Sequence, residues 1–291
     1  MIDCLYDGNS LFARAWFAIM SKPDGCPQDV VRSSICTVLS LLNVNNGKLG
    51  DRVDRILFAW DGANKRDKGR AAKPVQYHTT RKLLIDYLAF LLNPTHACSD
   101  AHEADDVVAT AVRQSDADVC YVVSGDKDLQ QLSGPSVYCY CLNQKALMPA
   151  RAILSRWGIK DPKQLCLALA IIGDKTDCIA GIRGWGHKRV KKLFEAVPEG
   201  ATLEEALLAV EAQIPEHLRP DFYRDLDLTL LNNAVPDIPP ASPVKMAPLN
   251  AISELQLPNF MEFYRPVYRL YHGRTDAAGD EEDVPAGAVD Y

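Results

Sequence analysis

The stretch that decides the fold is IDCLYDGNS, residues 2–10, a short apolar run that ends in a turn signal. A continuous apolar run is typical of a strand buried on both faces, and Asp-Gly marks the turn that ends it. The same pattern recurs at residues 55–62, RILFAWDG, and at residues 119–126, VCYVVSGD. Each of the three runs is therefore predicted to be a buried strand that ends in an acidic turn.

Helices are predicted between and after these strands, from apolar residues at helical spacing. Ser10 is expected to cap the first helix, and a further strand is predicted at 137–142. Strands that alternate with helices predict an α/β fold with a mostly parallel central sheet flanked by helices. The predicted helices span residues 10–18, 29–42, 83–92, 103–112 and 128–132.

After residue 149 the pattern becomes helical, and no strands are expected there. Helices are predicted at residues 161–172, 187–196, 203–213 and 221–232. Residues 244–272 hold enough apolar side chains to pack, without a pattern that assigns their structure. The predicted domains are an α/β core at 1–148, a helical region at 149–235, a Pro-rich C-terminal segment at 236–275 and an acidic tail at 276–291 that is expected to be disordered.

Charge is segregated along the chain, although the net charge is only −6. The tail at 276–291 holds six acids and no Lys or Arg, so the remainder of the chain is neutral overall. Within that remainder, residues 64–82 carry seven bases against one acid, and residues 182–193 carry five bases and no acid. Two basic blocks on an otherwise neutral chain are the electrostatic pattern expected of a protein that binds nucleic acid.

Membrane and disulfide-rich classes are excluded by the sequence. The longest apolar run, residues 165–172, is eight residues long, far short of the ~18 needed to span a bilayer. Asp3 and Asp7 interrupt the first apolar stretch, so no signal segment is expected. The nine cysteines are odd in number and scattered, without a Cys-x-x-Cys pair. They indicate reduced thiols in the cytoplasm and argue against a structural zinc site.

Nine carboxylates are candidate metal ligands because of where they lie. Three follow predicted strands, and three crowd the start of the helix at 103–112. Helix capping is the alternative and explains one or two of them. Carboxylates that converge on one sheet edge repel unless a cation neutralises them, and oxygen ligands without His or Cys suit Mg²⁺ or Mn²⁺. The nine are Asp7, Asp61, Glu103, Asp105, Asp106, Asp126, Asp128, Asp174 and Asp177.

A glycine-rich turn at residues 181–189 reads GIRGWGHKR. It is not a P-loop, because His187-Lys188 replaces the required Lys-Ser/Thr and no strand precedes it. A glycine turn followed by bases exposes N–H groups to phosphate and suits sequence-independent binding of a nucleic-acid backbone. The alternative is a C-cap glycine followed by a solvated basic helix. The candidate backbone-binding residues are Gly181, Gly184, Gly186, Lys188 and Arg189.

The basic segment at residues 62–82 directly follows the second predicted strand. Such a run is often only a solvated loop, but its place beside a candidate metal site makes substrate contact an equal expectation. Its candidate residues are Arg66, Arg70 and Tyr77 for DNA binding, and Lys73, His78, Arg81 and Lys82 for catalysis.

Five motifs in order resemble the 5′→3′ exonuclease and flap endonuclease family, which includes the nuclease domains of bacterial DNA polymerase I and stand-alone bacteriophage enzymes. DGNSLFARAWFA at 7–18 and FAWDG at 58–62 are similar to its first two acidic strands. EADDV at 103–107 and SGDKDL at 124–129 match its two most specific motifs. Residues 173–188 match its last acid pair and its helix–three-turn–helix. Five matches in family order are specific, although each alone is weak.

The resemblance implies a PIN-like 5′ nuclease core in which the nine acids hold two divalent ions, Mg²⁺ or Mn²⁺. It puts nearer the first ion Asp7, Asp61, Glu103 and Asp105. It puts nearer the second ion Asp126, Asp128, Asp174 and Asp177, with Asp106 close by. It also implies that the helix–three-turn–helix grips duplex DNA, with a K⁺ held by turn carbonyls, and that the basic segment forms an arch. The family's Tyr-Lys-x-x-Arg corresponds to residues 77–81, where His78 replaces a permanent cation.

The sequence therefore predicts a divalent-metal-dependent 5′→3′ exonuclease or 5′ flap endonuclease that acts on DNA in replication or repair. The expected partners are DNA with 5′ ends, nicks or flaps, and a separate polymerase or single-strand-binding protein. We expect a cytoplasmic monomer without membrane contact. Two alternatives are a metal-dependent ribonuclease of related fold, which the glycine turn argues against, and a non-catalytic DNA-binding scaffold, which the presence of all nine acids argues against.

Overall fold

The computed structural model describes residues 1–64, 72–175, 177–252 and 260–272. The predicted acidic tail at 276–291 and the candidate residues Arg66 and Arg70 lie outside the described residues. None of the helices within the described ranges is long and apolar enough to cross a membrane.

A central sheet organises the described chain. Its strands are β1 (Ile2–Asp7), β2 (Arg55–Trp60), β3 (Thr95–Cys98), β4 (Val119–Ser124), β5 (Val137–Cys141), β6 (Ala146–Met148) and β7 (Ser242–Pro243). The strand order is β3-β2-β1-β4-β5-β6, and β7 pairs with β2. Strands β1 to β5 run parallel, whereas β6 and β7 are antiparallel to their neighbours. The predicted mostly parallel sheet is confirmed.

The three predicted core strands are covered on both faces. In β1, β2 and β4, five of the six residues are buried, as their unbroken apolar sequences require. Gly8, directly after β1, lies against the indole of Trp60, where a Cβ would come within 2.8 Å of the ring. This close approach requires glycine after the first strand-end aspartate.

Helices flank the sheet and continue beyond it. They are α1 (Gly8–Met20), α2 (Pro27–Leu42), α3 (Val75–Leu92), α4 (Ala104–Gln114), α5 (Ala150–Trp157), α6 (Leu165–Ile172), α7 (His187–Phe194), α8 (Leu203–Glu211), α9 (Arg219–Thr229), α10 (Leu249–Ile252) and α11 (Phe260–His272). Short 3₁₀ helices include Asp128–Leu132 after β4 and Pro162–Gln164 before α6.

Two helix starts differ from their predictions. Asp7 rather than Ser10 caps α1, because the Ser10 backbone N–H donates to Asp7 Oδ1 at 2.9 Å. Helix α3 begins at Val75 rather than at residue 83. Its first two turns are polar and largely exposed, so apolar periodicity does not reveal them. Part of the basic segment is therefore helical.

Several short elements have no counterpart among the predictions. Strands β3 and β6 are four and three residues long, too short for a two-residue period to stand out. Helix α5 buries only Ile153 and Trp157. The expectation of no strands after residue 149 is wrong for β7, a two-residue pairing of Ser242–Pro243 with the start of β2. The proline lies at a sheet edge, where its missing N–H is tolerated.

Three apolar clusters hold these layers together. Helices α1, α2, α3 and α11 share one cluster with residues of β1 and β2. Helix α4 and residues 235–238 cover the opposite face of the sheet. The third cluster joins residues of α5 to α9, beside the carboxyl end of the sheet.

The segment whose structure the sequence left unassigned packs against the first cluster. Helix α11 lies on α2, and its Tyr264 is fully buried. The Tyr264 hydroxyl donates to the Ala247 carbonyl at 2.8 Å, and the Tyr271 hydroxyl donates to the Val53 carbonyl at 2.7 Å. Residues 244–252 and 260–272 thus complete the first apolar cluster.

Candidate active site

Parallel strands bring the predicted acids to one edge of the sheet. Asp7 ends β1, Asp61 follows β2, and Asp126 follows β4. Because β2, β1 and β4 are adjacent and parallel, their carboxyl ends meet at the same edge, where ligands of such sheets bind. Helix α4 and the 3₁₀ helix Asp128–Leu132 begin at this edge and add further acids.

Three of the predicted ligands form a compact cluster. Each of Asp126, Asp128 and Asp177 offers a carboxylate oxygen within 4.8 Å of the others. Asp128 is buried, and its Oδ1 has no hydrogen-bond partner among the described residues. Burial, and then the charges of Asp126, Asp177 and Asp105, raise the pKa of Asp128 well above its usual value. A buried acceptor without a donor, among carboxylates that repel, fits a hard divalent cation.

Hydrogen bonds fix Asp7 next to this cluster. The Ser124 hydroxyl donates to Asp7 Oδ2 at 2.7 Å, and the Ser124 oxygen accepts the Asp126 backbone N–H at 2.9 Å. On the other side, Ser10 Oγ accepts the Gly125 N–H at 2.8 Å. Burial raises the pKa of Asp7 to about 7, and the neighbouring Asp126 and Asp61 act in the same direction. Two serines therefore hold the turns after β1 and β4 in register.

The remaining acids occupy distinct places around the edge. Asp61 Oδ1 accepts the Ala104 N–H at 3.0 Å, so it caps α4 from outside, and Glu103 precedes that helix. Asp105 Oδ1 accepts the Asp106 N–H at 2.8 Å. Asp106 Oδ1 accepts the Asn232 N–H at 2.8 Å, and burial raises the pKa of Asp106. The predicted division of the nine acids between two ions stays a prediction.

Asp174 contacts a cation of the chain itself. Its Oδ2 lies 2.7 Å from Lys127 Nζ, and in sequence Lys127 lies between Asp126 and Asp128, two members of the acid cluster. The carboxyl edge thus holds one basic group inside the set of predicted ligands.

We expect the metal-free protein to be more stable at pH 5 than at pH 8. Burial raises the pKa of Asp7 to about 7, whereas an aspartate in an unfolded chain titrates near ~4. The stabilisation from protonated Asp7 is fully present below the unfolded pKa and is lost as pH rises through the folded pKa. Between pH 5 and pH 8 this loss is about 3 kcal/mol. Thermal unfolding in EDTA at both pH values measures it. Adding Mg²⁺ should remove most of the difference, and equal midpoints in EDTA would contradict a buried, unneutralised carboxylate.

Arg81 is the arginine that the described part of the basic segment places at this edge. Arg81 Nη1 donates to Asn9 Oδ1 at 3.1 Å, and Asn9 lies two residues after Asp7. Tyr77 is buried, and its ring packs edge-on against Phe12 and Trp16 at centroid distances of 4.8 and 5.2 Å. Helix α3 is thereby anchored, which fixes the position of Arg81. The predicted contact of Tyr77 with DNA stays a prediction.

The other described basic candidates lie just before α3 or in its first half. Lys73 Nζ lies 4.7 Å from the ring centroid of the exposed Phe17. His78 is exposed, and Lys82 pairs with Asp86 at 2.8 Å on the outer surface of α3. None of these contacts assigns a catalytic role, which stays a prediction for Lys73, His78 and Lys82.

The glycine turn has a backbone that glycine makes possible. Gly181 and Gly184 have φ values of +67° and +82°, and a Cβ on Gly181 would lie 2.5 Å from the Gly173 backbone nitrogen. Helix α7 starts directly after Gly186, with Lys188 and Arg189 in its exposed first turn. The turn therefore packs tightly on the end of α6 while its following bases face solvent, as backbone binding requires.

A buried carboxylate that the sequence did not indicate holds this turn. Asp225 on α9 is 1% exposed, and its Oδ2 accepts the Gly181 N–H at 2.7 Å. Its Oδ1 pairs with Arg224 at 2.9 Å. Asp225 lies 44 residues from Gly181, so no local motif could reveal it. Ser10 and Ser124, in contrast, lie inside the quoted motifs, within three residues of a strand-end aspartate, and that spacing is the available signal.

Asp225→Ala is expected to weaken duplex DNA binding by about tenfold, because it removes a charge-assisted hydrogen bond that fixes the turn. Asp225→Asn keeps an oxygen for the Gly181 N–H and should lose less. Fluorescence anisotropy with labelled duplex in EDTA measures the affinities. Asp221→Ala, which removes an exposed partner of Arg224, is the control and should change affinity less than about twofold. Wild-type affinity in Asp225→Ala would show that this carboxylate only stabilises the fold.

A family model places the chain in a known family. The model described as 5′–3′ exonuclease, N-terminal resolvase-like domain, matches residues 4–158, slightly more than half of the chain. The chain belongs to the 5′–3′ exonuclease family. The resemblance found in the sequence motifs is confirmed.

The chain is similar to part of much longer bacterial proteins. It is 30% identical over 224 residues to DNA polymerase I of Rhizobium leguminosarum, covering 69% of this chain and 21% of the relative. It is 29% identical over 226 residues to DNA polymerase I of Pseudomonas aeruginosa, covering 73% and 23%. The matched region thus spans less than a quarter of these relatives.

Solved structures share the fold at low identity. A structure of the 5′-exonuclease of T5 with bound zinc has a TM-score of 0.58 at 17% identity, covering 92% of this chain and 99% of that one. The catalytic core of Rad2 in complex with DNA substrate has a TM-score of 0.58 at 16% identity, covering 91% of each chain. These similarities confirm the predicted α/β fold class across nearly the whole chain.

Proposed function

We propose that this chain is a divalent-metal-dependent 5′ nuclease, a 5′→3′ exonuclease or structure-specific 5′ flap endonuclease that hydrolyses DNA phosphodiesters. The observation that carries the proposal is the cluster of Asp126, Asp128 and Asp177. It contains a buried carboxylate oxygen without a described donor, at the edge where parallel strands end. Membership of the 5′–3′ exonuclease family supports it.

Two divalent ions, Mg²⁺ or Mn²⁺, are the proposed cofactors. One would be held by Asp126, Asp128, Asp174 and Asp177, with Asp106 close by, and the other by Asp7, Asp61, Glu103 and Asp105. Such ions neutralise charge on the attacking and leaving oxygens of a phosphodiester. The chain's own contribution is to fix the acids, through Ser124 on Asp7 and through the Ala104 N–H on Asp61.

DNA with 5′ ends, nicks or flaps is the proposed substrate. The N–H groups of the glycine turn, with Lys188 and Arg189, would bind duplex phosphates, and a K⁺ would be held by turn carbonyls. Arg81, beside the turn that follows β1, would bind the reacting phosphate through its planar set of N–H donors. Similarity of fold to solved structures supports the proposed metal ions, through T5 5′-exonuclease with zinc, and the proposed DNA substrate, through Rad2 with DNA substrate.

The test is digestion of end-labelled DNA of one sequence in four forms: blunt duplex, nicked duplex, 5′ flap and single strand. Each is incubated with Mg²⁺, with Mn²⁺ and with EDTA. We expect cleavage from the 5′ end or at the flap junction, dependent on the metal. Cleavage that persists unchanged in EDTA, or no cleavage of any form, would refute the proposal.

Digestion of an RNA strand of the same sequence distinguishes the proposed DNA nuclease from a ribonuclease, the main alternative. A ribonuclease of related fold would cleave the RNA faster than the flap, and a non-catalytic scaffold would bind the flap without cutting it. We also propose that the protein is a cytoplasmic monomer. Its proposed partner in replication or repair is a separate polymerase or single-strand-binding protein. Sedimentation of the purified protein tests the monomeric state, and affinity capture with purified candidate proteins tests the partner.

A further inference from the structure

We propose that Lys127 is a built-in counter-cation of the acid cluster, which holds Asp174 while no metal is bound and must release it when an ion binds. The proposal rests on the proposed function and adds a residue that controls metal affinity. Its basis is the contact between Lys127 Nζ and Asp174 Oδ2, at 2.7 Å, with side-chain exposures of 30% and 11%.

The backbone of Lys127 is held by a hydrogen bond, and its ammonium group lies at the end of a flexible four-carbon stem. Lys127 is the cap of the 3₁₀ helix Asp128–Leu132, and its carbonyl accepts the Gln130 N–H at 3.0 Å. Its two neighbours, Asp126 and Asp128, belong to the compact cluster. A compact charge on a four-carbon stem can move by several ångströms while the acids on either side keep their places. The chain therefore puts a lysine between two of the clustered acids in sequence, with its ammonium group against the predicted ligand Asp174.

Charge balance explains why this cation lies here. Asp126, Asp128 and Asp177 lie within 4.8 Å of one another, and two of them are buried. Among the charges acting on Asp128, those of three aspartates raise its pKa and that of Lys127 lowers it. The ammonium group thus offsets part of the repulsion that a bound ion would otherwise neutralise.

A divalent ion and the ammonium group compete for the same carboxylate. An ion held by the cluster and Asp174 would stand next to a positive charge, which disfavours it by Coulomb repulsion in a partly buried site. Removing the lysine charge should therefore tighten ion binding and destabilise the metal-free protein. A lysine that only oriented Asp174 would have the opposite effect on ion binding, because its loss would leave a ligand misplaced.

The experiment compares Lys127→Gln with Lys175→Gln in the full chain. Lys175 is an exposed lysine next to Asp174 in sequence, so the control makes the same charge change beside the same ligand. Mn²⁺ binding is measured by electron paramagnetic resonance of the free ion, and thermal unfolding is measured in EDTA. We expect Lys127→Gln to raise Mn²⁺ affinity at the site that includes Asp174 by at least about tenfold and to lower the unfolding midpoint in EDTA. Lys175→Gln should change affinity by less than about twofold.

Lys127→Arg gives an independent reading if the glutamine variant does not fold. Arginine keeps the charge and can bind a carboxylate through two N–H groups. The Lys127→Arg variant should therefore bind Mn²⁺ more weakly than wild type, with an unchanged midpoint of thermal unfolding in EDTA. Unchanged or weaker Mn²⁺ binding in Lys127→Gln, or tighter binding in Lys127→Arg, would overturn the inference and leave the proposed nuclease intact. Absence of Mn²⁺ binding to the wild-type protein would overturn both.

Discussion

Asp126→Asn is expected to lower the rate of metal-dependent cleavage by at least ~10²-fold while duplex binding stays close to that of wild type. The substitution preserves shape: Asp126 Oδ1 accepts the Asp128 N–H at 2.9 Å, and an asparagine oxygen can accept the same bond. What it removes is one negative charge and one strong oxygen ligand from the Asp126–Asp128–Asp177 cluster. The expected loss is therefore one of metal placement rather than of folding.

Single-turnover cleavage of a 5′ flap across a Mg²⁺ titration measures this effect. Asp116→Asn is a matched control, because Asp116 is an exposed acid that pairs with Arg55 at the amino-terminal edge of the sheet. It should cleave within about twofold of wild type. If Asp126→Asn cleaves as fast as the control at low Mg²⁺, the assignment of the cluster as a metal site is wrong.

Arg81→Ala is expected to slow single-turnover cleavage by about 10²-fold and to change the duplex Kd by less than about threefold. Arg81 lies beside Asn9, at 3.1 Å, and Asn9 is two residues from the predicted metal ligand Asp7. The packing of Tyr77 against Phe12 and Trp16 keeps α3 in place when the side chain is shortened. The interaction that this variant loses is the proposed contact of the Arg81 guanidinium group with the reacting phosphate.

Two further variants make this test specific. Arg81→Lys keeps a positive charge without the planar set of donors and should fall between wild type and alanine. Arg52→Ala removes an arginine that lies over Tyr271, just before β2 at the other edge of the sheet, and should cleave as wild type does. A change confined to Kd in Arg81→Ala would make this part of α3 a docking surface.

The sheet and most of the acids follow from the sequence because their signals are local. Residues 2–7, 55–60 and 119–124 are continuous apolar runs that end in acidic turns, and each became a central strand. Parallel order then requires the turns to meet at one edge. The motif EADDV likewise begins a helix, as its crowded acids indicate.

Other features depend on contacts between distant residues and leave no local pattern. Asp225 reaches the glycine turn from 44 residues away, and Asn232 reaches Asp106 from 126 residues away. Lys127 stands inside a quoted motif, yet its partner Asp174 belongs to another one. Strand β3 begins with Thr95 and His96, whose polarity hides a four-residue strand. Periodicity reads one element at a time and cannot report which elements come together.

The docking of α11 has a consequence for how the chain is made. Tyr271 bonds to Val53, 218 positions earlier, and Tyr264 closes the same apolar wall near Leu91. At a synthesis rate of roughly 5–20 residues per second, the ribosome reaches this helix some ten to forty seconds after it finishes α2. Throughout that interval the part of α2 that contacts α11 stays uncovered, although α1 and α3, which also pack on α2, are made well before α11. A nascent chain of this kind is a natural client for chaperones that shield hydrophobic surface during translation.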